Sequence, residues 1–283
     1  MKKIIFSILI FFFLIFGASC SNKESYDIMT SCYPVYEFTT RIVGDKYTVK
    51  NLVKPGIEPH EYEPSTKDVR NLIDCKLFIV NGLGLEHYTN DLTKDIKQKM
   101  FMSTSNIELL YEDNTVDPHI WLDPKNAITM MSNIKDKIIE LDPENKDYYI
   151  NNFNTNKELF LALDNKYNEE LTNLSSSYLI TSHKAFGYLC KAYGLTQVAI
   201  NGLSTEDEPT AEAIASLIDR IKDMGATTIF YEELVSDSIA KSIASETGLK
   251  CDVLNPIEGI SNKEDNYITI MEKNLEAIKR ALL

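Results

Sequence analysis

One stretch of this chain carries a helical repeat of apolar residues more clearly than any other. Tyr149, Phe153, Phe160, Leu163, Tyr167, Leu171 and Leu174 lie 4, 7, 3, 4, 4 and 3 residues apart, which gathers them on one face of an α-helix. Asp142 followed by Pro143 provides a start signal, because an aspartate caps free amides and proline is tolerated in the first turn. No glycine or further proline interrupts the pattern before Ser175-Ser176-Ser177. The spacing therefore predicts one long, stiff helix over 143–174, about 45 Å at 1.5 Å per residue. On both sides of it the pattern changes to short runs rich in β-branched and aromatic residues, bounded by Pro, Gly, Asn or Asp, which read as strands. These are 26–32, 47–53 and 77–80 before the helix, and 178–181, 228–231 and 250–254 after it. Helix-compatible stretches separate them, at 36–43, 67–74, 185–193, 211–224 and 236–247. Alternating strands and helices predict an α/β protein of two lobes, each a mainly parallel sheet flanked by helices. The long helix joins the lobes and limits how far they swing.

The first twenty residues follow a different logic. Lys2 and Lys3 precede an apolar run from Ile4 to Phe16, then Gly17, Ala18, Ser19 and Cys20, the layout of a secretory signal. The run is too short to span a bilayer comfortably. Small residues directly before a cysteine resemble the bacterial lipobox, in which that cysteine is lipidated and becomes the mature N-terminus; Gly17 stands where a leucine is usual. The expected organisation is a signal peptide over 1–19, a lipidated tether over 20–25, an N-terminal lobe over 26–142, the linking helix over 143–174 and a C-terminal lobe over 175–283. No stretch from Ser21 to Leu283 reads as transmembrane, so the mature chain is expected as a body tethered by lipid to the outer face of the cytoplasmic membrane.

Charge narrows the class of partner. Acidic residues outnumber basic ones 42 to 29, a formal charge of −13, and Lys2 and Lys3 belong to the leader. Such a surface repels phosphate backbones and favours cations, which argues against nucleic-acid binding. Besides Cys20 there are four well-separated cysteines, Cys32, Cys75, Cys190 and Cys251. They show no CxxC or zinc-ribbon spacing, and they read as free structural thiols rather than two disulfides.

Only four histidines occur, His60, His87, His119 and His183. His60 follows the strand ending at Val53, within Pro55-Gly56-Ile57-Glu58-Pro59-His60-Glu61-Tyr62-Glu63-Pro64. His119 lies in Asp117-Pro118-His119-Ile120-Trp121-Leu122-Asp123-Pro124, where prolines on both sides stiffen the backbone. His183 follows the strand 178–181 almost directly, and Glu258 comes four residues after the strand ending at Leu254. In open α/β sheets ligands gather beyond the carboxyl ends of strands. These groups are candidates to converge in the cleft between lobes. Three imidazoles and one carboxylate would make a tetrahedral N3O set, which suits Zn2+ better than Mn2+ or Mg2+. His87, in Gly84-Leu85-Glu86-His87-Tyr88, reads as an exposed or packed histidine outside the set. Most of Glu58, Glu61 and Glu63 read as solvated loop charges, and Trp121 as a core anchor beside His119.

Several blocks in order along the chain carry a family resemblance: 32–63, 77–84, 117–124, the helix from Pro143, Ser182-His183-Lys184-Ala185-Phe186-Gly187-Tyr188, and the stretch through Glu258. They resemble the metal-binding solute-binding lipoproteins of bacterial ABC transporters, the zinc/manganese family often called cluster A-I. The resemblance implies one metal held by His60 and His119 from the first lobe and by His183 and Glu258 from the second. In manganese-type members the position of His183 is usually a glutamate and that of Glu258 an aspartate, so this chain looks like the zinc type. It departs from many zinc-type relatives in lacking a histidine-rich loop between His60 and His119; the segment 107–116 is short and has no histidine. The implied function is capture of Zn2+ for an ABC permease and its ATPase by a monomeric, non-enzymatic protein. The alternatives are import of manganese or another divalent metal, and surface adhesion. A zinc hydrolase would need an open coordination position and a nearby base such as HExxH supplies, a motif absent from the chain.

Overall fold

The structure, a computed structural model, describes residues 25–203, 210–232, 238–260 and 262–283. The leader, with Cys20, lies outside the described residues. Two four-stranded parallel sheets organise the rest. In the first, β1 (Ile28–Thr30), β2 (Val49–Asn51), β3 (Leu77–Val80) and β4 (Met100–Met102) pair in the order β2-β1-β3-β4. A small antiparallel hairpin follows, β5 (Tyr111–Glu112) with β6 (Thr115–Val116). In the second sheet, β7 (Tyr178–Thr181), β8 (Thr196–Ala199), β9 (Thr228–Tyr231) and β10 (Lys250–Val253) pair in the order β10-β9-β7-β8. This is the two-lobed α/β architecture that the alternation predicts.

Helices α1 (Tyr33–Val43), α2 (Thr66–Asp74), α3 (Lys94–Lys97), α4 (Pro124–Leu141) and α5 (Lys146–Glu170) belong to the first half and the link; α6 (Gly187–Tyr193), α7 (Ala211–Asp223), α8 (Ser238–Thr247) and α9 (Tyr267–Leu282) to the second. Their starts follow local chemistry. Pro34 sits in the first turn of α1, which begins earlier than the apolar pattern suggests. Ser65 and Asp68 form a reciprocal capping box on α2. The Asp123 carboxylate accepts from Lys125 N–H, with Pro124 opening α4.

The long helix is shorter than the 143–174 expectation. Pro143–Asn145 form a 3-10 turn and α5 then runs from Lys146 to Glu170, 25 residues or about 37 Å. The chain leaves helical angles at Leu171 (φ −91°, ψ 51°), and Asn173 beyond it takes a φ of 56°, a left-handed conformation that keeps the helix from resuming. Tyr149, Phe160, Leu163 and Tyr167 are buried along it as the spacing requires, and Leu171 is buried just beyond its end.

Side chains alternate across each sheet and divide the interior into three layers. Ile28, Leu77, Ile79, Leu179 and Phe230 face a central core shared by both lobes and filled by α1, α4, α5, α6 and α9. Met29, Phe78 and Val80 face an outer core with Leu72 and Ile96. Ile180 and Ile229 face another beneath α7 and α8. Helix α9 crosses between the lobes. Its Tyr267 stacks on Phe160 with centroids 4.6 Å apart, donates its N–H to Glu37 and its hydroxyl to the Trp121 carbonyl. At the other end Leu282 and Ala281 carbonyls accept from Ser175 and Thr227, beside the second sheet. Two helices, α5 and α9, thus tie the lobes and fix the width of the cleft at the strand ends.

Candidate metal centre

Each sequence-nominated donor sits beyond a strand end. His60 lies in the proline-bounded loop after β2, His119 between Pro118 and a single 3-10 turn (Ile120–Leu122), His183 two residues past β7, and Glu258 five residues past β10. The structure brings all four together. One ligand atom from each lies within 4.8 Å of every other.

The separations carry more information than the clustering. His119 Nε2 is 3.1 Å from His60 Nε2, 3.4 Å from His183 Nε2 and 2.9 Å from Glu258 Oε1. Glu258 Oε1 is 3.3 Å from His60 Nε2 and 3.7 Å from His183 Nε2. Four ligands about 2.0 Å from one zinc ion in a tetrahedron are spaced by about 3.3 Å. Five of the six donor–donor edges, at 2.9–3.7 Å, therefore lie close to those of a zinc tetrahedron, and three imidazoles with a carboxylate are donors that zinc favours. His119, His183 and Glu258 are essentially fully buried, and the His60 side chain is 6% exposed.

Buried carboxylates orient the deep imidazoles. His119 donates both its backbone N–H and its Nδ1–H to Asp117 Oδ1, at 2.9 and 2.8 Å, so Nε2 is the nitrogen that faces the cluster. His183 Nδ1–H donates to Glu232 Oε1 at 2.5 Å, and the same oxygen accepts from Ser182 Oγ at 2.7 Å. The His183 carbonyl accepts from Thr181 and Gln197. His60 is placed through its backbone, whose N–H donates to Glu58 Oε1 at 3.1 Å.

Glu258 is aimed by a strained loop. Ile257 has φ 62°, a conformation that a β-branched residue adopts only when its surroundings impose it. Here they do: Asn274 on α9 clamps Asn255 through both its N–H and its carbonyl, Asn255 Oδ1 accepts from Ile257 N–H, and the first-lobe Trp121 donates Nε1–H to the Pro256 carbonyl at 2.7 Å.

These contacts also set the charges of the cluster. Burial would depress His119, yet its hydrogen bonds to Asp117 and Glu258 raise it to about 10. Burial likewise opposes ionisation of Glu258, but hydrogen bonds from His119 and His60 hold it well below the usual carboxylate range. Glu58, desolvated and facing the Glu258 charge, is pushed up to about 9. His119 and Glu258 thus form a charge-assisted hydrogen bond, Nε2 to Oε1 at 2.9 Å.

The other sequence expectations fall as follows. His87 is exposed, Glu61 and Glu63 are exposed, and Glu58 is the one of the three glutamates drawn toward the site. Trp121 is fully buried with its ring edge-on to His119 at 5.5 Å. Cys32, Cys75 and Cys190 are buried thiols outside any disulfide, and Cys251 is exposed. Sequence reasoning missed Asp117, Glu232 and Asn274. Glu232 immediately follows β9 and obeys the strand-end rule that nominates His183, while Asp117 is two residues from His119. Asn274, inside α9, gives no such signal.

Against known proteins, the family model described as "ZnuA: Zinc-uptake complex component A periplasmic" matches residues 28–281. The chain is 37% identical over 289 residues to the high-affinity zinc uptake system protein ZnuA of Bacillus subtilis, covering 94% of this chain and 91% of that one. It is 36% identical over 292 residues to the zinc-binding lipoprotein AdcA of Streptococcus pneumoniae, covering 94% of this chain but 58% of that relative. Among solved structures, the Zn(II)-bound ZnuA-like domain of S. pneumoniae AdcA superposes with a TM-score of 0.80 at 37% identity, covering 91% of this chain and 98% of that one. The laminin-binding protein Lmb of Streptococcus agalactiae, described as both adhesin and metal transporter, superposes at 0.85 with 32% identity, covering 90% of this chain and 99% of that one. With a match running from β1 almost to the end of α9, the chain belongs to the ZnuA family of periplasmic zinc-uptake components.

Proposed function

We propose that this protein captures Zn2+ outside the cytoplasmic membrane and delivers it to an ABC permease for import, held to the membrane by lipid on Cys20 and acting as a monomer. One observation carries the reading: His60, His119, His183 and Glu258 present one donor atom each within 4.8 Å of every other, with five of the six separations between 2.9 and 3.7 Å, close to the edges of a zinc tetrahedron. The names of the relatives, zinc uptake and zinc binding, support the same cargo. In this reading the four residues are the ligands. Zn2+ displaces the proton on His119 and the Glu258 carboxylate closes the fourth position, so the site serves to hold the ion rather than to activate water on it. Two donors come from each lobe, so the ion stabilises the closed pair of lobes, and the loaded surface offered to the permease differs from the empty one. Imidazole-rich tetrahedral coordination favours zinc over manganese, which prefers oxygen donors and higher coordination.

The test is elemental analysis of protein purified without added metal, followed by competition between Zn2+ and Mn2+ at pH 7.5. Zinc is expected to be retained at one ion per chain and to displace manganese. Equal retention of both ions, or a preference for manganese, overturns the reading.

A further inference from the structure

The short segment before His119 forms a joint between the lobes. Its hairpin β5–β6 is closed at the neck by Asp117 N–H donating to the Leu110 carbonyl at 2.9 Å. Into that neck the second lobe inserts Tyr188 of α6, a side chain buried to 2% exposure. Its hydroxyl accepts the Leu110 N–H at 2.9 Å and donates to the Asp117 carbonyl at 3.3 Å, so one oxygen pins both ends of the hairpin. The residue before it, Gly187, packs so tightly that a Cβ there would stand 2.7 Å from Asp117 Oδ2. The opposite oxygen, Oδ1, is the one that takes the Nδ1–H of His119. Lys184 pairs with Glu112 and Lys191 with Glu108 on the rim; such exposed pairs add little.

We propose that Tyr188 is a positioning residue for metal binding: from the second lobe its hydroxyl fixes the hairpin neck, and through it the Asp117 carboxylate that orients first-lobe His119. Closure of the lobes and orientation of His119 are then coupled, since the Tyr188 contact and the ion bridge the same two lobes. The inference rests on the zinc reading above and adds to it a determinant of how long the ion stays. A carboxylate one step behind a histidine ligand commonly changes metal affinity by about 10–100-fold, and affinity differences between related complexes fall mostly in the dissociation rate. Removing the hydroxyl leaves the half-buried Leu110 N–H without its acceptor and releases the Asp117 carbonyl from the second lobe.

The test compares wild type with Tyr188→Phe and Gly187→Ala. Zinc dissociation is followed by capture with excess chelator, and the geometry of the site by the visible spectrum of the Co2+-loaded protein. Tyr188→Phe is expected to release zinc about tenfold faster, with a smaller change in association and an altered Co2+ spectrum. Gly187→Ala, whose methyl group pushes on Asp117, moves both readouts in the same direction and serves as the second variant should Tyr188→Phe fold poorly. Tyr193→Phe, which loses a hydroxyl bonded to Asp164 at the far end of α6, leaves both unchanged. Wild-type dissociation and an unaltered Co2+ spectrum in Tyr188→Phe, alongside changes in Asp117→Asn, would overturn the role of Tyr188 while leaving the zinc reading intact. Failure of the wild type to load either metal overturns the zinc reading itself.

Discussion

His119 and His183 form the inner wall of the site and His60 its outer wall, and the two walls are built differently. Each inner imidazole is gripped through Nδ1 by a buried carboxylate, Asp117 or Glu232, at 2.8 and 2.5 Å. His60 lies in the loop after β2 and is positioned through its backbone by Glu58. The inner donors are oriented by carboxylates outside the cluster, whereas the His60 ring meets the cluster itself, its Nε2 lying 3.1 Å from His119 and 3.3 Å from Glu258. In the proposed zinc reading the inner pair is preset and His60 completes the set.

The strongest way to break this contrast is to remove donors singly. If the affinity of a structural zinc site divides roughly evenly over four ligands, each accounts for about 3 kcal/mol, or more than a hundredfold. His119→Ala and His183→Ala are expected to lose at least that much, and His60→Ala less. Competition titrations with a chelator measure all three, with quenching of Trp121 as an independent signal because it is the only tryptophan and lies against His119. An equal or larger loss at His60 erases the distinction between the walls. Next in size are the carboxylates: Asp117→Asn and Glu232→Gln should each weaken zinc by about 10–100-fold without removing a donor.

The pH dependence sharpens the same contrast. The folded-state value of His119 is raised to about 10, so the metal-free site holds that proton throughout the neutral range, and zinc must displace it. Between about pH 6 and pH 8 affinity is expected to rise about tenfold per unit as protons become scarcer. A flat profile would mean that His119 enters the cluster already neutral. The smallest effect belongs to His87→Ala, an exposed histidine outside the cluster, which should leave zinc affinity unchanged in the same titration.

What could be read beforehand followed the run of β-branched and apolar residues: the edge strands β2 and β10 stand out at 47–53 and 250–254 although neither is buried. Strand β3, Leu-Phe-Ile-Val, is buried at every position and stands out as an apolar run, as a central parallel strand should. Strands β4 and β8 are sheet edges, half open to solvent, and neither Met-Phe-Met nor Thr-Gln-Val-Ala presents a run that separates it from a loop. Helices α4 and α9 lie outside the stretches marked as helical in the sequence, although their apolar residues do recur at helical spacing. At the site, histidines were legible because there are four of them and three follow strands or sit among prolines. Asp117 and Glu232 were not, because they are two among 42 acidic residues and nothing local marks which carboxylate will face an imidazole.

Sequence alone determined the periodicities that make strands and helices, the chemistry available at the strand ends, and the class of cation that chemistry suits. Those properties reside in residues near one another along the chain. Tertiary structure decided which groups meet: His119 and Glu258 touch across 139 residues, and Tyr267 reaches Glu37 across 230. The spacing of the tetrahedron depends on the width of the cleft, which the packing of α5 and α9 against both lobes sets, and on a strained Ile257 held by Asn274 and Trp121. A close-packed interior transmits such constraints over the whole molecule, and that transmission turns four scattered side chains into one site.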